Sequence, residues 1–383
     1  MSRRLGVAAA ALALAALLVV PSATGARKML IGLLDETSAL YGNPDKTYPM
    51  LKRLRVQVVR MDLYWGGNRG IARQIGIAKR RPANPRNPDD PAYNWEIYER
   101  AAQYARQYGI QLLFTVYGTP AWANGGKGPN VAPKNARDLQ NFAYAAAKRF
   151  SGTFVGEDGR RIPGVRYWTA WNEPNQPFQL TPQYRRVRGR WVIQSAIDYA
   201  KICNAIYTGV HSTLIAGEKV ACGVTAPGGG NNPRGSRPTV SPLAFLRATK
   251  KAGMRRFDVY AHHAYPRKSS ETPSTKPPKN AVTLANIGEL QKEVRRLYGY
   301  HPLWITEYGY QTNPPDRLFG VSWAKQALYL KQGYAIARKN PGIQMMLWFL
   351  LRDEPVLAGW QSGLMTASGR QKPSFNTFRL LPR

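Results

Sequence analysis

The chain has 383 residues, 44% hydrophobic and 20% charged, and its 55 Lys and Arg against 22 Asp and Glu give a formal charge of +33. That apolar share excludes a disordered polyelectrolyte, and only two cysteines exclude a scaffold built on disulfides. The charge leaves nucleic acid, anionic envelope polymers and acidic sugars all open as partners and chooses none of them.

Residues 1–26 read as a signal peptide. Arg3 and Arg4 form a basic start, and Leu5–Val20 is an apolar run too short for a comfortable span. Pro21 ends the run, and the small residues up to Ala26 suit cleavage there. The pair of arginines faintly resembles a twin-arginine signal but lacks the usual following aromatic, so the export route stays open. An uncleaved anchor is the alternative. No second long apolar run follows, so the expectation is a secreted, monomeric protein of residues 27–383, without a membrane span and still carrying +31.

Eight apolar runs recur in that portion: MLIGLL (29–34), VQVVRMDLYW (56–65), IQLLFTVYG (110–118), VRYWTAWN (165–172), KVACGVT (219–225), FDVYAHHAY (257–265), PLWITEYGY (302–310) and IQMMLWFLL (343–351). Most are rich in β-branched or aromatic residues and do not alternate with polar ones, as strands buried on both faces require. Helical spacing of apolar residues fills the gaps, with caps expected at Asn94, Asn135, Ser241 and Ser322 and stops at Gly109, Gly253 and Gly299. The first helix (48–55) and the last (373–381) are the weakest. Eight strand–helix repeats predict a single-domain (β/α)₈ TIM barrel. A doubly wound open sheet is the alternative, weakened by the lack of a Gly-rich phosphate turn after an early strand.

Three Pro- and Gly-dense loops, 78–91, 225–242 and 266–280, follow predicted strand ends on the face where barrels build sites. Cys203 lies on the apolar seam of one helix and Cys222 in the next strand. A disulfide between them and two buried free thiols are both open readings.

The chemistry concentrates at two strand ends. Glu173 closes the fourth run after Trp168 and Trp171 and before Pro174, and Glu307 closes the seventh. Two carboxylates converging over a barrel axis are the minimum equipment for glycoside hydrolysis. An apolar setting raises a carboxyl pKa, which suits Glu173 as acid/base. Polar neighbours such as Tyr308 and Tyr265 keep a carboxylate ionised, which suits Glu307 as nucleophile.

At these residues the chain resembles the clan A retaining glycoside hydrolases, nearest to families 5 and 39. The resemblance rests on WNEPN (171–175), HHAYP (262–266) and ITEYG (305–309), in that order. It implies that Asn172 holds the sugar 2-hydroxyl, that Tyr265 bonds the nucleophile beside His263, and that Arg60 also approaches it. It further implies that Trp348 floors the sugar site, often before a non-proline cis peptide. Trp122 and Trp65 are candidates for neighbouring sugar subsites or for packing. One departure stands out: Tyr117 occupies the place where family 5 usually has a histidine.

His262, adjacent to His263 on a strand, should face the helices. No metal-ligand spacing is seen, and no cofactor is called for. Arg185, Arg186, Arg188 and Arg190 follow the proposed acid. They would bind carboxylated or sulfated sugars if their loop overhangs the cleft; otherwise they form a solvated basic loop. The expected function is thus a secreted retaining glycosidase acting on a carbohydrate, with electrostatic association with anionic envelope polymers open. A non-catalytic glycan- or polymer-binding barrel is the alternative. Nucleic-acid binding lacks any recognition signature.

Overall fold

The computed structural model of the protein describes residues 29–67, 76–156 and 158–383. The 1–26 signal segment lies outside the described residues. Among the described residues there are ten strands: β1 Leu30–Leu34, β2 Val58–Tyr64, β3 Gln111–Tyr117, β4 Tyr167–Ala170, β5 Tyr184–Val187, β6 Arg190–Ile193, β7 Lys219–Thr225, β8 Val259–His263, β9 Leu303–Tyr308 and β10 Ile343–Phe349. Eight of them, all parallel, close into a barrel in the order β1-β10-β9-β8-β7-β4-β3-β2. These eight coincide with the eight apolar runs. The remaining pair, β5 and β6, is a separate antiparallel hairpin.

The helices are α1 Glu36–Ala39, α2 Pro44–Arg53, α3 Glu96–Gln107, α4 Ala121–Asn124, α5 Ala136–Arg149, α6 Gln194–His211, α7 Pro242–Lys251, α8 Ile287–Tyr298, α9 Trp323–Arg338 and α10 Pro373–Arg379. Asn135 and Ser322 accept hydrogen bonds from backbone N–H groups of their first turns, as good caps do. At α3 the boundary falls one residue later than expected: Trp95 is the cap, and Asn94 accepts from Glu96 N at 3.1 Å. Ser241 sits at the cap of α7 but makes no capping bond, because Asn231 Nδ2 donates to its hydroxyl instead. Gly109, Gly253 and Gly299 all have positive φ, the conformation that ends a helix cheaply for glycine alone.

The core has two layers. The larger one lies between barrel and helices. A smaller one, including Val58, Leu113, Ala261, Trp304 and Leu347, fills the barrel interior. Tyr167 of β4 meets Trp304 of β9 there at 5.4 Å between ring centres. Cys203 of α6 and Cys222 of β7 are joined by a disulfide, tying one helix to the strand that follows it.

Strand alternation alone would not deliver the site. Trp304 and Glu307 both face inward although they are three residues apart. In the β8–β9 ladder Ile305 pairs with His262 and Glu307 with His263, so Thr306 is an extra residue on β9. This bulge turns Glu307 back toward the axis, a common device beside active sites.

Candidate active site

The cleft opens over the C-terminal ends of the barrel strands and has a volume of about 660 Å³. Glu173 and Glu307 both line it. Their side chains are 21% and 11% exposed, deep enough to lose most hydration and open enough to meet a ligand. Backbone geometry around the first carboxylate is unusual: Trp171 has φ 67° and Glu173 has φ 36°. Trp171 N donates to Val116 O on β3, and Glu173 N to Val224 O on β7, so the two flanking strands hold this turn. Non-glycine residues in the left-handed region cost about 1–3 kcal/mol each and persist where surrounding structure over-determines them.

One arginine organises the floor. Arg60, fully buried on β2, donates from Nη1 to Glu307 Oε1 at 2.8 Å and from Nη2 to Asn172 Oδ1 at 2.7 Å. Its Nε donates to Thr115 Oγ1 at 2.8 Å. Nη1 also lies 3.1 Å from His263 Nε2. A guanidinium only donates, so Nε2 is the acceptor and the ring proton sits on Nδ1. That Nδ1–H then donates to Glu173 Oε1 at 2.8 Å, with Glu307 Oε2 at 3.4 Å. Burial pulls His263 down to about 3, so it is neutral and its tautomer is set by Arg60. Tyr265 Oη donates to Glu307 Oε2 at 3.0 Å.

Burial pushes Glu173 up to about 7, with Arg60 and Arg267 opposing. Burial also pushes Glu307 up, opposed by His263, Arg60 and Tyr265 and reinforced by the Glu173 charge. The asymmetry is one of contacts. Glu307 carries a direct ion pair and a phenol hydrogen bond, both stabilising its anion, whereas Glu173 has a neutral imidazole.

A Glu173 oxygen, a Glu307 oxygen and a His263 nitrogen lie within 4.8 Å of one another. Such donors hold metals elsewhere. Here the imidazole nitrogen facing the carboxylates carries the proton, and Arg60 already supplies the compensating positive charge.

Several expected residues take other positions. Trp348 is fully buried among the helices: its Nε1 donates to Ser362 O at 3.0 Å, and its ring packs against Tyr308. It does not floor the cleft. Phe349, the next residue on β10, faces inward instead and meets Trp360 at 5.6 Å. The peptide bond after Trp348 is trans; the cis bonds among the described residues all precede prolines. Trp65 is buried, stacked on Phe142 of α5. Trp122 packs edge-on to Trp65 and donates to Ala78 O. Neither reaches the cleft, so their sugar-subsite reading is withdrawn in favour of packing. Tyr308 turns to the helices and gives Glu307 no hydrogen bond. Trp168 likewise faces outward, against Phe114.

Arg60 and His263 are wholly buried, so they position the carboxylates and do not touch a ligand. Asn172 does line the cleft, and with Oδ1 held by Arg60 its amide N–H₂ is left to donate. Tyr117 also lines it, its hydroxyl donating to Gln179 Oε1 at 2.8 Å. His262 faces away, donating from Nε2 to Val282 O and accepting from Thr225 Oγ1. The arginines at 185, 186, 188 and 190 belong to the exposed β5–β6 hairpin, and none of them lines the cleft.

Residues that sequence reasoning missed are Glu36, Asp62, Glu354, Arg267, Lys268, Phe349 and Trp360, all lining the cleft. Asp62 was legible in principle, two residues after Arg60 on one strand face. Phe349 ends β10 and Glu36 opens the short α1, while Arg267, Lys268, Glu354 and Trp360 come from loops, where no periodicity points.

No protein-family model matches the sequence, and no curated protein is significantly similar to it. Solved structures are similar in fold. A family 39 glycoside hydrolase from the gut symbiont Bacteroides cellulosilyticus WH2 matches 93% of this chain with a TM-score of 0.59 at 18% identity, and the chain spans 63% of that enzyme's length. A glucosidase from Croceicoccus marinus gives a TM-score of 0.63 at 13% identity, over 92% of this chain and 67% of its own. A β-glucosidase from Exiguobacterium marinum gives 0.58 at 14%, over 92% and 96%. The eight-stranded barrel of this chain is therefore the fold of the family 39 glycoside hydrolases and of related glucosidases.

Proposed function

We propose that the protein is a secreted retaining glycoside hydrolase that cleaves β-O-glycosidic bonds in an oligo- or polysaccharide by double displacement. The observation that carries this reading is the approach of Glu173 and Glu307 to within 4.8 Å across a shared imidazole. Retaining enzymes hold their carboxyl groups about 5–5.5 Å apart, inverting ones about 6.5–9.5 Å. Glu307, paired with Arg60 and Tyr265, attacks the anomeric carbon. Glu173, protonated because it is buried, gives its proton to the leaving oxygen. Water then enters, Glu173 takes its proton, and the glycosyl–Glu307 ester is hydrolysed. Asn172 N–H₂ meets the 2-hydroxyl of the sugar. Phe349 and Trp360 offer apolar faces to the pyranose ring, the part first assigned to Trp348. No step uses a metal or a cofactor. Residues 1–26 direct export.

Screening aryl β-glycosides and polysaccharides finds the sugar. On that substrate Glu307→Gln and Glu173→Gln should each lower turnover by roughly 100-fold or more while the circular dichroism spectrum is retained. Wild-type turnover in either variant with an intact fold would end the assignment.

A further inference from the structure

The cleft is divided by charge. Glu36 follows β1, Asp62 is on β2 and Glu354 follows β10, so one wall carries three carboxylates. Arg267 and Lys268 follow β8 and line the cleft from the far side. In the closed barrel order β2 and β8 stand four strands apart, which in eight strands is diametrically opposite. The guanidinium of Arg267 lies over Gly228 after β7, itself opposite β1.

The two walls also differ in depth. Asp62 and Tyr64 are largely buried, so the acidic end is closed, whereas Arg267 and Lys268 are exposed at the mouth. Asn172 points toward the closed end: its partner Arg60 Nη2 is also 3.6 Å from Asp62 Oδ1. A sugar whose 2-hydroxyl meets Asn172 therefore sits against the carboxylates, and its leaving group lies toward the mouth. Arg267 is near enough to Glu173 for its charge to act on that carboxyl. The acid that protonates the leaving oxygen and this cation are thus on one side. Glu271, in the same loop, is turned back to accept from the main-chain N–H groups of Arg267 and Lys268. Neither side chain has an ion-pair partner among the described residues.

We infer that the enzyme takes a neutral sugar in the closed end and an anionic residue, bearing a carboxylate or sulfate, on the leaving-group side, where Arg267 and Lys268 bind it. This rests on the retaining-glycosidase reading. It moves the recognition of acidic sugar from the β5–β6 hairpin, which does not line the cleft, to the loop after β8. It also assigns acidic sugars to the leaving side only, because the two exposed cations lie there while the closed end is lined by carboxylates.

The test uses matched pairs: phenyl and meta-carboxyphenyl β-glycosides of the same sugar, made for glucose, galactose and xylose. The wild type should favour the carboxylated member in kcat/KM by at least about 10-fold, a preference that fades at high salt. In Arg267→Gln, kcat/KM for the carboxylated member should fall at least about 10-fold further than for the neutral one, and Lys268→Gln should show a smaller selective loss in the same direction. Equal rates on both members in the wild type, or equal losses in Arg267→Gln, overturn the inference and leave the glycosidase standing. No turnover of any pair, together with none of any glycoside in the wider screen, removes both.

Discussion

Glu173 is where burial turns into chemistry. A carboxyl held near pH 7 keeps its proton at neutral pH and still exchanges it within a catalytic cycle. On the proposed double displacement, the glycosylation step needs Glu173 protonated and Glu307 ionised. kcat/KM should therefore fall as pH rises through about 7 and fall again in acid as Glu307 is protonated. The same shift bears on stability. A carboxyl raised from 4.5 to about 7 holds its proton more tightly in the folded state, so its contribution is fully present below the unfolded value and lost as pH rises through the folded one. The cost of ionising it in place is on the order of 3 kcal/mol. Glu173→Gln should accordingly raise the melting temperature near pH 8 and not near pH 4. No pH dependence of that difference would mean that Glu173 is not desolvated. Arg60 is the second residue with a sharp expectation. Arg60→Lys keeps the charge but not the fork that reaches Glu307, Asn172, His263 and Thr115. Charge-assisted hydrogen bonds worth roughly 1.5–3 kcal/mol each predict a loss in kcat of about 100-fold, with the acid limb of the pH profile moved upward.

Among the elements, two connections hold the frame that carries these side chains. The disulfide joins α6 to β7 across a separation of 19 residues, and β7 supplies the carbonyl that holds Glu173. Cys203→Ser with Cys222→Ser should lower stability by about 3 kcal/mol, read by denaturant titration. The second connection is a buried ion pair. Lys372, at the start of α10, donates from Nζ to Asp353 Oδ1 at 2.7 Å and to Thr312 Oγ1 at 2.8 Å. It anchors the loop after β10 that carries Trp360. Removing one partner of a buried pair leaves the other charge uncompensated, so Lys372→Met should cost about 3–5 kcal/mol. If the cleft binds a sugar as proposed, it should also raise KM more than it lowers kcat, because the Trp360 face of the cleft loosens.

At the scale of the whole molecule, the barrel was written plainly in the chain. Eight runs buried on both faces, spaced by helices, leave few other folds. The places of the two glutamates on the cleft were also legible, because each stands at the end of an apolar run, and Arg60 was named through the resemblance carried by WNEPN, HHAYP and ITEYG. The aromatic floor was not. Trp348 and Phe349 are neighbours on a strand covered on both sides, and hydrophobicity cannot say which one faces inward. The bulge at Thr306 and the contributions of the loops after β1 and β10 were invisible because they have no period, and composition placed the loop at 266–280 on the site face without saying which of its residues line the cleft. Charge misled in a different way. Four arginines in nine residues drew notice at 183–191, yet Arg267 and Lys268 are the cations that line the cleft. The proposed mechanism requires that Glu307 bond covalently to the sugar with Glu173 as its partner acid. Proton magnetic resonance of the first-formed product from the best aryl β-glycoside tests it most directly. Double displacement predicts that the released sugar appears first as the β anomer and only later mutarotates; initial release of the α anomer would rule it out.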